Sequence, residues 1–307
     1  MRSRPGTTAA RLLLAAALAI ACGCAALDEV AKVGTSVAES QGKISKEQAQ
    51  SITRSTGALA KAAEDFTPEQ EYYVGRSVGA VIANRYRPYR NDQVNDYINL
   101  LGQALAQASD RPETFGGYHF LVLDSDEINA FATPGGLIFV SRGMLRCCDG
   151  EDAVAAVLAH EIAHVQLRHG IQSIEQSRKT EALKVLAVEG TKTFGRKELA
   201  DLTKTFEDSI GDITSTLINN GYSRAFEREA DAAAVEILSR VGYDPNALSA
   251  MLREMGKRLK PGGLDFAKTH PSPASRIEEI SSLGLRGPSS PAPPARQARF
   301  RKALGGV

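Results

Sequence analysis

The sequence predicts an α+β domain, mainly α-helical, with a small β-sheet set beside one buried helix. Three observations point there. Apolar residues recur at helical spacing on both sides of the chain's middle, as in Val94, Tyr97, Ile98, Leu101 and Leu105. Two short stretches, Tyr118–Leu123 and Leu137–Ser141, change to strand character and are separated by DSDEINAFATPGG. The stretch Asp149–Gly170, DGEDAVAAVLAHEIAHVQLRHG, places apolar side chains all round a helical axis. A helix reads that way when other elements bury it from several sides.

Within that stretch Asp149 is placed to cap, Glu151 and Asp152 suit the positive first turn, and Arg168, His169 and Gly170 suit the end. The whole reads as one helix of about five turns. His160 and His164 lie four residues apart, so they project from one face and can share a metal ion. Zinc suits two neutral imidazoles plus a carboxylate, and Glu161, next to the first histidine, can take a proton from water. That is the chemistry of metal-assisted peptide hydrolysis. The alternative is a pair of core histidines satisfied by backbone carbonyls, with Glu161 at a solvent edge.

With 307 residues the chain can form one large domain or two small ones around a real core. Its charges nearly cancel, leaving a formal net charge of +1, and no basic stripe offers a phosphate footprint. Nucleic acid is therefore not an expected partner.

Residues 1–24 read as an address label. Arg2, Arg4 and Arg11 precede an apolar run, Leu12–Ala21, that is too short to span a bilayer comfortably. Cys22 and Cys24 each follow small residues in a pattern that resembles the bacterial lipobox, whose cysteine is acylated. That resemblance implies a lipoprotein facing the periplasm, and Gly23 or Ala25 after the cysteine, rather than Asp, favours the outer membrane; the alternative is an ordinary cleaved signal whose cysteines are discarded. Only Cys147 and Cys148 are then certain in the mature chain. Being adjacent, they exclude a disulfide framework and leave either free buried thiols or a strained vicinal bridge, with packing as small buried hydrophobes the favoured reading.

Residues 25–66 are polar and alanine-rich, a tether or loosely packed helix. A folded domain over residues 67–286 begins at Thr67-Pro68-Glu69-Gln70, where Thr67 caps, Pro68 takes the first helical position and Gln70 closes a capping box. This helix should reach about Tyr86, and a second should run from Asp92 to Ala108. A strand close to a peptidase helix can act as an edge that pairs with an extended substrate. Asn129, Ala130, Gly136, Leu137 and Ile138 are the candidates for that contact, although an interior strand would look the same in sequence.

Residues 171–220 form a helical insertion that could cover the cleft as a lid, meet a partner, or stand as solvated hairpins. A further helix then starts in YSRAFEREAD and runs to about Arg240, stopping near Gly242. Glu227 and Asp231 share a face of it, so one can reach a metal while the other orients a ligand from behind; Glu229 points elsewhere. A charged, solvated face is the plainer reading.

Together INAFATPGG, LIFVS, HEIAH and YSRAFEREAD resemble the gluzincin metallopeptidases, the family of HtpX and the CAAX prenyl proteases. With the lipoprotein signal they are most similar to the periplasmic group of BepA and LoiP. The resemblance spans about Thr67 to Leu283 and implies a zincin-like domain with one zinc ion. It places His160, His164 and Glu227 at the zinc-ligand positions, Glu161 as general base and Asp231 as the carboxylate behind the ligands. Thr269-His270-Pro271 with Arg276 resembles the family's His-Pro pattern followed by arginine. That implies His270 as a switchable fourth ligand, or His270 or Arg276 as a donor to the oxyanion. The implied substrates are unfolded or misassembled envelope proteins.

No helical-hairpin repeat follows the domain, so the tetratricopeptide platform of BepA is not expected and LoiP is the nearer analogue. Residues 287–307, rich in Pro and Arg, read as a flexible tail whose Phe300–Leu304 end could dock. The chain is expected to be a zinc endopeptidase. The alternatives are a chaperone-like assembly factor with a self-blocked zinc site, and a purely structural zinc site.

Overall fold

The structure is a computed structural model, and it describes residues 65–177, 221–259, 270–282, 284 and 291–307, with 32–33, 35–42, 45–46 and 50. The signal segment with Cys22 and Cys24, most of the expected tether, residues 178–220 of the insertion and Thr269 lie outside the described residues. The chain divides into two compact units, Met1–Asp65 with Ile174–Ser209 and Phe66–Ser173 with Ile210–Val307. In the first unit the described backbone is helical at 32–33 and 35–40. The second carries the candidate site, and it is mainly helical with a three-stranded mixed sheet.

Helix α1, Pro68–Arg85, begins as its sequence dictates. Thr67 Oγ1 accepts from the Gln70 amide at 3.2 Å, and Gln70 Oε1 accepts from the Thr67 amide at 2.9 Å. Its buried face includes Gly75, where a Cβ would lie 1.7 Å from the Pro134 carbonyl oxygen, so any side chain there would push α1 off the turn at Pro134–Gly136. Helix α2, Asp92–Gln107, is capped by Asn91 and buries Val94, Ile98, Leu101 and Leu105.

The sheet has strands β1 (His119–Leu123), β2 (Ala130–Ala132) and β3 (Leu137–Ser141) in the order β1-β3-β2. β1 runs parallel to β3, starting from His119 opposite Leu137, and β2 runs antiparallel to it, with Phe131 opposite Phe139. The outer edge of β1 is closed by side chains of α2. Asn99 accepts from the Phe120 amide at 3.1 Å and donates to its carbonyl at 2.7 Å, Asn95 accepts from the Val122 amide at 3.0 Å, and Gln103 donates to the Tyr118 carbonyl. The match is geometric: four helical residues rise about 6.0 Å and two strand residues about 6.6 Å, so every fourth helix position meets every second strand position.

The strand expected to present an edge, Leu137–Ser141, is therefore the central one. Leu137 and Ile138 lie on a strand paired on both sides, with the Leu137 carbonyl taken by the Thr133 amide at 2.9 Å. β2 was not distinguished in the sequence, yet among the described residues no strand pairs its second edge. The antiparallel pattern alternates, so Ala130 and Ala132 turn their backbone groups away from β3.

Helix α3, Glu151–Gln166, has 14 of its 16 residues buried. Val154, Leu158 and Ile162 are inaccessible to solvent, and full burial of such side chains is worth about 1.5–3 kcal/mol each. Two details depart from the sequence reading. Gly150, not Asp149, occupies the cap position, without a side-chain bond. The five-turn helix is broken: Leu167 and Arg168 form a turn, Arg168 takes φ 58, and helical backbone resumes at 169–177.

Helix α4, Arg224–Val241, is capped by Ser223, whose Oγ accepts from the Phe226 amide at 3.2 Å, and ends on Gly242 at φ 79. It packs along α3. Ala155, Ala156, Ala159 and Ala163 on α3, with Ala230 and Ala234 on α4, are fully buried and small enough to let the two backbones approach. Helices α5 (Ala247–Arg258) and α6 (Pro273–Ser282) pack against one another, and α5 also contacts α3.

The C-terminal stretch, expected as a flexible tail whose end could dock, is helical, with Phe300 and Leu304 packed at the core. Pro294–Leu304 forms helix α7, which packs on α3 and α2. Arg299 Nε donates to Glu151 at 3.0 Å, Arg296 pairs with Asp152 at 3.3 Å, and the Arg296 guanidinium lies 4.1 Å from the centre of the Tyr243 ring. Cys147 and Cys148 are buried in the core and are not bridged to one another. Among the described residues no helix is long and apolar enough to cross a membrane.

Candidate metal centre

The two α3 histidines face one another, with their Nε2 atoms 3.1 Å apart. The crossing helix α4 aims Glu227 at both: its Oε2 lies 3.5 Å from His160 Nε2 and its Oε1 3.3 Å from His164 Nε2. His270, just before α6, completes the group, its Nδ1 2.9 Å from each Glu227 oxygen. Donor atoms of His160, His164, Glu227 and His270 all lie within 4.8 Å of one another, and all four residues are buried. A buried carboxylate against imidazole nitrogens is costly without a positive charge to answer it. Nitrogen and oxygen donors converging from three elements are a set that a divalent cation such as zinc accepts.

The electrostatics reflect that crowding. Burial alone would raise the Glu227 carboxyl, but His270 and hydrogen bonds from His160 and His164 outweigh it and hold the group well below the usual carboxylate range. Burial and Arg276 push His160 down, yet bonds to Asp231 and Glu227 win and lift it to about 9. Burial prevails at His164, which falls to about 3.

Asp231, one turn beyond Glu227, stands behind His160 with its Oδ1 3.0 Å from the outer ring nitrogen, Nδ1. A carboxylate there holds the proton on Nδ1 and leaves Nε2 free to coordinate. Arg276 of α6 grips the same carboxylate through both Nε, at 3.0 Å from Oδ2, and Nη2. Arg276 Nη2 also lies 3.1 Å from His160 Nδ1, and Nη1 lies 3.8 Å from Glu227 Oε2, so the guanidinium faces both Asp231 and the ligand group.

Glu161 is 2% exposed, and no hydrogen bond or ion pair holds its carboxylate among the described residues. Burial raises its carboxyl above the ordinary range, against the pull of His160 and His270. Asn129 is buried between β2 and β3: its amide donates to Ser141 Oγ at 3.1 Å, and its side-chain Oδ1 accepts from the Ala130 amide at 2.9 Å. Gly136 sits in the buried turn beside α1, at φ 107. Of the five candidate substrate contacts, Ala130 lies on the unpaired edge, Asn129 precedes it, and Gly136, Leu137 and Ile138 do not reach it.

One residue was missed. His169, fully buried, places its Nδ1 2.9 Å from His164 Nδ1 and its Nε2 3.3 Å from Glu229. Its position after Arg168 reads as a helix-end charge, and Glu229 points away from Glu227 on the helix, so neither signals a role alone. The signal was available only as a pair: a third histidine five residues past His164 together with an unassigned glutamate in YSRAFEREAD.

Residues 92–283 match the model of peptidase family M48. The beta-barrel assembly-enhancing protease of Yersinia pestis is 28% identical over 274 residues, covering 86% of this chain and 53% of that protein. The protein of the same name from Escherichia coli K12 is 30% identical over 216 residues, covering 68% and 42%. The mitochondrial metalloendopeptidase OMA1 of Schizosaccharomyces pombe is 37% identical over 158 residues, covering 50% and 42%. The chain spans about half the length of the curated relatives it matches. A family match across well over half the chain, centred on the crossed helices that carry the buried donors, means that this chain belongs to peptidase family M48.

Proposed function

We propose that the chain is a zinc-dependent endopeptidase that cleaves extended polypeptide in the bacterial cell envelope. The observation that carries this reading is Glu161, a buried carboxylate with no donor among the described residues, next to four converging ligand groups. Structural zinc sites give such a residue no duty. His160, His164 and Glu227 would hold the ion, with His270 as an exchangeable fourth donor. Bound zinc supplies Lewis acidity, polarising a peptide carbonyl and easing deprotonation of water. Glu161 takes the proton of the attacking water and returns it to the leaving amide nitrogen. Its raised affinity for a proton suits both halves of that task.

Asp231 keeps His160 in the coordinating tautomer, and Arg276 keeps Asp231 in place. The outer edge of β2 would offer the Ala130 carbonyl and the Ala132 backbone groups to an extended substrate, the Ala130 amide being taken by Asn129 Oδ1, and so would tolerate varied sequences. The names of the relatives support clients in β-barrel assembly, and the Cys22 or Cys24 lipobox supports anchoring at the periplasmic face of the outer membrane.

His270 favours a second reading. Bonded to both Glu227 oxygens, it closes the ligand set and would leave a self-blocked assembly factor that rarely cuts. One experiment separates the two: zinc content of the purified protein, with digestion of casein before and after chelation, for the parent and His270→Ala. Chelator-sensitive cleavage by the parent supports the peptidase. Cleavage only after His270→Ala supports the blocked form, and zinc without cleavage in either defeats both catalytic readings.

A further inference from the structure

The two α3 histidines are served differently from behind. His160 has a carboxylate at its outer nitrogen, but His164 has another imidazole, His169, at 2.9 Å between the two Nδ1 atoms. At that distance one nitrogen must carry the proton and the other must not, since two N–H groups clash and two lone pairs repel. If His164 offers its Nε2 lone pair to a cation, its proton sits on Nδ1. His169 then accepts on Nδ1 and carries its own proton on Nε2, which lies 3.3 Å from Glu229 Oε2. One coordination requirement thus places the protons along His164, His169 and Glu229.

The backbone is bent to achieve this. On an unbroken helix, residue 169 would lie about 140° round the axis from residue 164, unable to stand behind it. The turn at Leu167 and Arg168 redirects the chain, and Arg168 accepts a left-handed conformation uncommon for a side chain that is not glycine. It is held there by Glu71, 3.1 Å from its Nε, and by the Phe66 carbonyl, 3.0 Å from its Nη2. His169 is then stacked on Phe226 at 4.4 Å and 11°, while Tyr222 stacks on His164 at 4.4 Å and 20°. Glu229 and Phe226 come from α4, the helix that also supplies Glu227 and Asp231.

We infer that His169, oriented by Glu229, is a positioning residue that fixes the tautomer and ring angle of His164 for metal binding. The inference rests on the reading that His160, His164 and Glu227 hold zinc. Its test is the rate at which a chromogenic chelator captures zinc from the loaded protein, alongside thermal unfolding of the metal-free forms. His169→Phe keeps an aromatic ring against Phe226 but removes the acceptor. It should release zinc about 10–100 times faster, the range typical for loss of a partner behind a ligand, with metal-free unfolding unchanged. His169→Gln restores an acceptor and a donor and should recover most of the retention. Release from His169→Phe at the parent rate overturns the assignment. So does equal loss in His169→Gln and His169→Phe with both metal-free proteins destabilised, which would mark a packing role. If His169→Phe does not fold, Glu229→Gln carries the test, its carboxylate being 54% exposed: faster release is expected, and the parent rate overturns. A parent that binds no zinc defeats the metal reading together with this inference, whereas a zinc-binding parent with an indifferent His169→Phe defeats this inference alone.

Discussion

Helix α3 buries two glutamates, and the protein treats them in opposite ways. Glu151, in the first turn, accepts from the Tyr243 hydroxyl at 2.9 Å, the Tyr97 hydroxyl at 3.3 Å and the Arg299 guanidinium. Glu161, nearly three turns on, is equally inaccessible and receives no such donor among the described residues. Each is 2% exposed, so burial alone does not distinguish them. Their partners do: a carboxylate surrounded by donors is fixed as structure, while a buried one that meets no donor among the described residues retains its basicity. The N-terminal half of the helix is therefore an anchor, joined by α7 from the far end of the chain, and the C-terminal half carries the candidate metal site.

The comparison breaks most sharply at Glu161. Glu161→Gln removes a base without removing any bond seen among the described residues, so cleavage of an unfolded protein should fall by about 10²–10⁴-fold, as for loss of a general base. Zinc content and resistance to urea should hold. A variant that still cuts at the parent rate would falsify the assignment of the base.

Glu151→Gln should give the mirror image. It strips the charge that Arg299 and the two phenols answer, and breaking a buried ion pair from one side costs about 3–5 kcal/mol. Since the Arg299 side chain is 54% exposed, solvent screening places the loss at the lower end of that range. Urea unfolding should show it, while the folded, zinc-loaded fraction cleaves as the parent does. A loss of activity per folded molecule, with stability intact, would mean that the division between the two halves is wrong.

What was legible in the sequence divides along similar lines. Local signals were clear: Thr67 with Gln70 starts α1, Leu137–Ser141 is a strand, Ser223 and Gly242 bound α4, and the His160, His164 and Glu227 side chains do converge. Long-range effects were not. Leu167 and Arg168 are ordinary helix residues, and the break between them depends on Glu71, 97 positions away. Helix α7 looks like a loose basic tail until Glu151 and Asp152, some 148 and 144 positions earlier, receive its arginines. β2 is three residues, too short for an alternating pattern to register, and its outer edge, paired by no strand among the described residues, stands out only once Asn95, Asn99 and Gln103 close the other one. The spacing of those amides, every fourth residue on one helix face, was in the sequence as a sign that the face meets backbone rather than water.

The reading as a whole depends on a carboxylate from α4 meeting the paired rings of α3 around one ion, and zinc stoichiometry tests that most directly. The parent should carry one zinc per chain, and Glu227→Ala, purified folded under the same conditions, should lose most of it. Full retention of zinc by folded Glu227→Ala would contradict the account, as would a folded, proteolytically active parent that contains none.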